Sequence, residues 1–229
     1  MVCVSSTGER SYRGASAPER VRRRRSQLID VALTAMAENR WRSATVVRLC
    51  AEAQLNKRYF YESFTDLDTL ASAVIDEVAA EVGNAAVTAY KNSIELPLAE
   101  QARAAVDTVV GVLGTDPRKA LVLLGGVADS PTEHARRTDA MNGLTAILVD
   151  HARSIHGVEL EYDSLASTAP AFVIGGTAQA ILSWVNGTAP ISRNQLVDDI
   201  SALWLAVGES AAGIARSRLE TTEPTNSAT

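Results

Sequence analysis

Apolar side chains recur three or four positions apart along most of the chain, which is the spacing of an amphipathic helix. Pro18 suits the first turn of the first such segment, and Asn39 suits its end because Asn tolerates a left-handed backbone. The apolar positions between them are Val21, Leu28, Val31, Ala32, Ala35 and Met36. We find no strand-like alternation and no repeat. The pattern predicts an all-α protein.

Two short helices and a longer one follow. Thr45 is an N-cap candidate for a helix from Val46 to about Ala53, and Asn56 is one for a helix from Lys57 to Ser63. Asp66 can cap the longer helix that runs toward residue 90. Because a short turn joins the second helix to the third, the first three segments have the layout of a helix-turn-helix unit.

The rest of the chain reads as further helices punctuated by Pro and Gly. Their predicted starts are Pro97, Asp116-Pro117, Ser130-Pro131, Asp163 and Ser192. We therefore divide the chain into a disordered basic tail (1–17), a helix-turn-helix domain (18–64), a helical domain (65–218) and a second disordered tail (219–229).

The stretch from Ser164 to Ser192 carries no charged residue and is long enough to span a bilayer. It contains Pro170, Pro190 and Asn186, however, and no basic cluster flanks it. We expect a helix buried on most of its circumference, and no membrane partner.

Charge is distributed unevenly. The net charge is −5, but residues 1–64 carry twelve Lys and Arg against six Asp and Glu, and the remainder carries ten against twenty-one. A basic first third on an acidic body favours a localised anionic partner. Cys3 and Cys50 form no disulfide framework, and the N-terminus has no apolar segment of a signal peptide, so a cytoplasmic protein is expected.

Residues 57–64, KRYFYESF, place four of the eleven aromatic side chains beside two cations. Phe60 and Phe64 are one helical turn apart and are predicted to pack inward. Tyr59 and Tyr61 have polar tips and are predicted to face outward. A surface of Lys, Arg and Tyr suits DNA, because the cations neutralise phosphates or read guanine and the phenol donates to a phosphate oxygen.

Further cations surround this segment, and an arginine-rich arm of the kind that can enter a minor groove precedes it. The predicted DNA-binding residues are Thr45, Arg48, Asn56, Lys57, Arg58, Tyr59 and Tyr61, together with Arg23, Arg24 and Arg25 of the arm.

Residues 24–70 resemble the N-terminal domain of the TetR family of transcriptional repressors. The positions that carry the resemblance are Leu28, Ala32, Trp41, Thr45, Val46, Leu49, Ala53, Leu55, Phe60, Tyr61, Phe64, Asp68 and Leu70. The chain departs from the family pattern at Arg40 and Gln54, where the family usually has Gly, and at Leu67, where it often has Lys. The rest of the chain is similar to the family in architecture alone.

The resemblance implies a homodimer that binds a palindromic operator with two recognition helices in successive major grooves. It also implies a small effector in the C-terminal domain, which lowers operator affinity, and no cofactor. Few charges lie on the expected pocket helices, so we expect a largely apolar effector. The implied dimer interface is on the last two helices, at Trp184, Leu203, Trp204 and Val207.

Two other classes of protein stay open. A helical accessory factor could use the basic arm to bind DNA without sequence preference, and an enzyme could place a site in the helical bundle. No nucleophile, phosphate loop or paired carboxylate motif supports the enzyme, so we expect none. A metal site would have to come from His134, His151, His156, Glu133, Asp139 and Asp150. These have no ligand spacing and are more typical of a solvated helix face.

Overall fold

The computed structural model of the chain describes residues 16–125, 130–156 and 162–222. Within those ranges it contains nine α helices and no strand, which confirms the all-α prediction. The helices are α1 Ala17–Ala37, α2 Val46–Glu52, α3 Lys57–Tyr61, α4 Leu67–Ser93, α5 Leu98–Thr115, α6 Pro117–Leu123, α7 Pro131–His156, α8 Leu165–Val185 and α9 Arg193–Thr222, with the 3-10 turn η1 at Trp41–Ser43. We call α1 to α3 with η1 the head, and α4 to α9 the body.

Helix starts are set by local side chains. Ser16 and Glu19 form a capping box at the start of α1, with the Ser16 N–H 2.6 Å from Glu19 Oε2. Thr45, Asn56 and Asp66 accept backbone N–H bonds at the starts of α2, α3 and α4, as predicted from sequence. Helix α1 therefore begins at Ala17, one residue before the predicted start of the domain at 18, and the first fifteen residues lie outside the described ranges.

Helix α9 likewise extends past its predicted end. It continues through residue 222, so part of the segment predicted as a disordered tail from 219 is helical. The residues after 222 lie outside the described ranges, and the division into separate domains at residues 64 and 65 stays a prediction.

Two turns in the head use a left-handed backbone at residues other than glycine. Asn39 has φ 56° after α1, and Gln54 has φ 55° between α2 and α3. The prediction for Asn39 is confirmed. The expectation that Arg40 occupies the glycine-like position is wrong, because Arg40 has an ordinary φ of −92° and the residue before it makes the turn.

One hydrophobic cluster runs through head and body. It includes Leu28 of α1, Phe60 of α3, Leu70 of α4, Val110 of α5 and Leu123 of α6, each 1% exposed or less. Helix α4 links the two parts, since it packs on α1 of the head and on α5 and α7 of the body. The position of the head is therefore coupled to the body through a continuous core.

Helix α8 is less buried than we expected from its composition. By length and composition alone Leu165–Val185 could cross a membrane, and it is the one such helix among the described residues. It packs against α9, α7 and α6, yet its buried residues are Pro170, Val173 and Ile181. The expectation of burial on most of its circumference is wrong for the single chain, because Phe172 is 69% exposed on its outer face.

Candidate nucleic-acid interface and body cavity

Helix α3 divides its side chains by helical phase. Phe60 and Phe64 are 0% and 3% exposed, and their rings pack with centroids 5.9 Å apart. On the other side Tyr61 is 61% exposed, and Lys57 and Arg58 also face solvent. A helix this short is held by the two phenylalanines and presents the cations and Tyr61, as the sequence predicts.

Tyr59 differs from Tyr61, because it is half-buried beneath an arginine of α1. The guanidinium carbon of Arg24 lies 4.1 Å from the centre of the Tyr59 ring. The same guanidinium pairs with Glu62 at 3.2 Å, and Glu62 also pairs with Arg58 at 3.2 Å. Glu62 therefore bridges α1 and α3, and Arg24 packs on α3 through the Tyr59 ring.

The arginines predicted as an arm belong to α1 and have different surroundings. Arg25 pairs with Glu77 of α4 and lies over the Phe64 ring at 5.3 Å. Arg23 is exposed on the outer face of α1. Because all of them are within a regular helix, they can reach a phosphate backbone from the helix surface but do not form an extended arm within the described residues.

The start of α2 is the second part of this surface. Thr45 caps α2, with its Oγ1 accepting from the Arg48 N–H at 3.2 Å. The Arg48 side chain pairs with Glu52 at 3.2 Å, and Arg40 reaches the same carboxylate at 3.5 Å. The pKa of Arg40 is raised, chiefly by its hydrogen bond to Glu38. Glutamates thus orient the arginines around the head.

At the turn between α2 and α3, Asn56 Oδ1 accepts from the Tyr59 N–H at 3.2 Å. That bond leaves the amide NH2 of Asn56 as the part of the side chain that can donate to DNA. The predicted residues of α2, the turn and α3 are thus exposed, whereas Tyr59 and Arg24 are half-buried.

The body encloses a cavity of about 490 Å³ between α4, α5, α7, α8 and α9. Its walls are mostly aliphatic, and this volume is within the range of small-molecule sites. Trp204 of α9 and Thr177 of α8 lie in the wall, and the Trp204 Nε1–H donates to Thr177 Oγ1 at 2.7 Å. Polar side chains are concentrated at the end of the cavity formed by the last turns of α4 and α7.

Comparison with known proteins rests on three-dimensional structure. No family model and no curated protein matches the chain in sequence. A TetR-family transcriptional regulator from Streptomyces coelicolor superposes with a TM-score of 0.66 at 16% identity, over 90% of this chain and 91% of that one. The fold is the TetR fold.

Two further structures with this fold are regulators named FadR, and the first of them is a regulator of fatty acid degradation. FadR from Bacillus halodurans gives a TM-score of 0.65 at 17% identity, over 80% of this chain and 94% of that one. FadR from Bacillus subtilis, solved in complex with stearoyl-CoA, gives 0.60 at 17% identity, over 78% and 96%. Since the match spans nearly the full length of each neighbour, the TetR fold of this chain includes both head and body.

Within the TetR fold, an arginine of α6 joins the body to the head. Arg118 donates to Asp116 at 2.7 Å and 2.9 Å, to Thr34 of α1 at 2.6 Å, and approaches Asp30 of α1 at 3.0 Å. The hydrogen bond from Arg118 lowers the pKa of Asp116, and Asp116 in turn raises the pKa of Arg118. Sequence reasoning missed this contact, because its partners are 84 positions apart.

The four residues predicted for the dimer interface differ in their exposure to solvent. Trp184 packs toward α5, where a Cβ on Gly114 would lie 2.8 Å from the indole ring. Trp204 and Val207 line the cavity, and Leu203 is 62% exposed. Phe172 of α8, which the sequence prediction omitted, is exposed as well. The sequence signal that could have identified Phe172 is its position on a helix with almost no charge.

Proposed function

We propose that the protein is a DNA-binding transcriptional regulator that recognises a palindromic operator as a homodimer. It acts as a repressor, and a small apolar effector lowers its affinity for the operator. The observation that carries the proposal is the exposed face of α3, where Lys57, Arg58 and Tyr61 project from a helix anchored by Phe60 and Phe64. The TetR fold, shared with regulators over nearly their whole length, supports the same assignment.

The chemistry of this face fits a phosphate-lined groove. Lys57 and Arg58 supply cations at the first turn of α3, although cations at a helix N-terminus oppose the helix dipole. A DNA phosphate would relieve that unfavourable interaction and would also accept from the Tyr61 hydroxyl. The side chains of Thr45, Arg48 and Asn56 border the same surface and are proposed to fix the register on the backbone.

The body cavity is the proposed effector site. Its aliphatic walls favour an apolar ligand, and the stearoyl-CoA bound to FadR from Bacillus subtilis supports an effector with a long apolar part. Leu113 and Leu124 line the cavity on either side of Asp116 and Arg118. An effector that binds better to one position of α6 would therefore act on α1 through Arg118, which is the differential contact that allosteric coupling requires.

The decisive experiment selects bound duplexes from a random pool and then measures affinity for the enriched sequence at several salt concentrations. We expect an enriched palindrome. Lys57→Ala should weaken binding and make the slope of log K against log salt shallower by about 0.9, since one phosphate contact is lost. Tyr61→Phe should weaken binding with a smaller change in slope, because it removes a neutral donor.

Arg216→Ala is the control, since it removes an exposed cation of α9 outside the cavity, and it should change neither affinity nor slope. If the protein binds DNA but no sequence is enriched from the pool, the result would favour the alternative function, a helical accessory factor that binds DNA without sequence preference. Unchanged binding in both the Lys57 and Tyr61 variants would rule out α3 as the recognition helix.

A further inference from the structure

The polar side chains that line the body cavity are concentrated at one end. Tyr90 and Lys91 are in the last turn of α4, and His151 and Arg153 are in the last two turns of α7. The Tyr90 and His151 rings meet edge to face, with centroids 4.9 Å apart. Since α4 and α7 run parallel, their C-terminal turns form a common rim, which we call the polar end.

The opposite end of the cavity offers nothing to a polar ligand atom. It is lined by Leu113, Leu124 and Ile181, which are buried or half-buried. Thr177 and Trp204 are a further polar pair in the wall, where Thr177 Oγ1 accepts from the Trp204 indole N–H at 2.7 Å and so satisfies that donor. A polar group placed here would lose its hydrogen bonds to water without replacement, so the part of the ligand at this end is apolar.

The shape of the walls favours a flexible chain over a planar ring system. Among the described lining residues the aromatic side chains are Tyr90, His151 and Trp204, and the first two pack on each other. The remaining wall is largely Ala, Val, Leu and Ile, which contact a ligand without offering parallel rings for stacking.

The polar end is richer in donors than in acceptors. It has the Tyr90 hydroxyl, the Lys91 ammonium, the His151 imidazole and the Arg153 guanidinium. Asp150 is the acid beside them, and it pairs with Arg153 at 3.2 Å. The Gln101 amide is committed to the carbonyls of Ile94 and Leu96, at 3.2 Å and 2.8 Å. Glu209 of α9 adds one further carboxylate to the lining.

We propose that the cavity binds a linear aliphatic amphiphile with an anionic headgroup. The aliphatic chain of the ligand is directed toward Leu113 and Leu124, and Lys91 and Tyr90 hold its headgroup at the polar end. The regulatory meaning of this ligand rests on the proposed function, but its binding does not require DNA. Lys91 is exposed at the rim, where an ammonium stays hydrated until an anion arrives.

The test titrates the full-length protein with straight-chain alkanoic acids of increasing length, each below its micelle concentration, by calorimetry. Affinity should rise about fourfold for each added methylene, because burial of one methylene contributes about 0.8 kcal/mol. The increase in affinity should stop when the alkyl chain of the ligand reaches the end of the cavity lined by Leu113, Leu124 and Ile181. Ala178→Leu, which fills the wall beside Ile181, should move that limit to shorter chains.

The anionic headgroup of the ligand is tested with ligands of equal chain length. The alkanoate should bind more tightly than the alkylamine. Lys91→Gln should weaken the alkanoate several-fold and leave the primary alcohol unchanged, Lys91→Arg should retain the alkanoate, and Arg216→Gln, outside the cavity, should have no effect. Tighter binding of the amine, no dependence on chain length, or equal losses for acid and alcohol would overturn the proposal.

The two proposals fail separately. If alkanoates do not bind while a palindrome is still selected, this inference is wrong and the DNA-binding function stands. If alkanoates bind as expected but no DNA sequence is enriched, the site is supported and the proposed regulator is wrong.

Discussion

Arg118 Nη1 donates to Thr34 Oγ1 over 2.6 Å, and this bond ties α6 of the body to α1 of the head. The Thr34 hydroxyl donates in turn to the Asp30 carbonyl at 3.0 Å, so both of its hydrogen-bonding roles are used. Thr34→Val keeps the shape of the side chain and removes the acceptor. We expect a loss of about 1 kcal/mol in the free energy of unfolding, since the bond is to a charged group but partly exposed.

Urea unfolding measures this loss, and Thr88→Val provides the matched control. The Thr88 hydroxyl donates to the Asn84 carbonyl at 2.7 Å on an exposed face of α4, so this bond stays within one helix. Its replacement should cost much less. Equal losses in the two variants would mean that the bond between α6 and α1 contributes nothing of its own.

Asp116 gives the same junction a pH dependence. The hydrogen bond from Arg118 lowers the pKa of Asp116 in the folded protein, with burial opposing it. Its contribution to stability is therefore complete above the ordinary Asp pKa of about 4 and is lost as the pH falls through the lowered folded value.

Asp116→Asn retains an N-cap for α6 and removes the charge. The variant should be less stable than the parent at pH 7, and the gap should narrow below a pH of about 4 as the parent loses its carboxylate. Urea midpoints at both pH values measure the gap. A gap that stays constant with pH would mean that the stability difference does not come from the charge of Asp116.

Gln54 is left-handed, with φ 55°, at the turn of the helix-turn-helix unit. Gly lacks the Cβ that makes this conformation unfavourable, so Gln54→Gly should stabilise the protein by about 1 kcal/mol, while Gln54→Ala should be nearly neutral because it retains the Cβ. Thermal unfolding distinguishes them. If Gln54→Ala also stabilised the protein, the gain in stability would come from loss of the glutamine side chain and not from relief of the left-handed backbone.

The turns and caps of the head were predictable because their causes are local. Thr45, Asn56 and Asp66 cap helices through backbone groups three positions ahead, so a short window contains the whole interaction. The glycine-like turn after α1 was misplaced by one residue, at Arg40 instead of Asn39, because the exact end of a helix depends on which carbonyls are satisfied.

The surroundings of the larger side chains were not predictable in the same way. Trp184 is on an apolar helix with neighbours on several sides, and composition does not determine which neighbour it meets. Its partner proved to be Gly114, 70 positions earlier, where the missing side chain makes room for the ring. Arg24 was grouped with its neighbours by charge, while its contacts with Tyr59 and Glu62 depend on how α1 crosses α3.

Arg23 and Arg24 should therefore behave differently in DNA binding. Arg24→Gln removes the cation over Tyr59 and the bridge through Glu62, so operator affinity should fall because α3 is less well positioned, with little change in the salt slope. Arg23→Gln removes an exposed cation and should make the slope shallower by about 0.9 if it contacts a phosphate. A shallower slope in the Arg24 variant would instead make Arg24 a phosphate contact.

The exposed apolar residues of α8 and α9 locate the proposed dimer interface. Phe172 is 69% exposed and Leu203 is 62% exposed, and their helices pack side by side. Exposed apolar surface of this kind is typical of a contact with a partner. Leu203→Glu and Phe172→Asp should each shift the protein toward monomer in sedimentation experiments, because a charge would be buried without a partner.

Ile94→Glu is the control for these variants, since Ile94 is 52% exposed and caps the end of α4, outside α8 and α9. It should leave the dimer intact. A monomeric variant with a folded head should still bind a single half-site, but with affinity reduced because the second head no longer binds the same operator. Dimers that survive both substitutions on α8 and α9 would place the interface on another surface of the body.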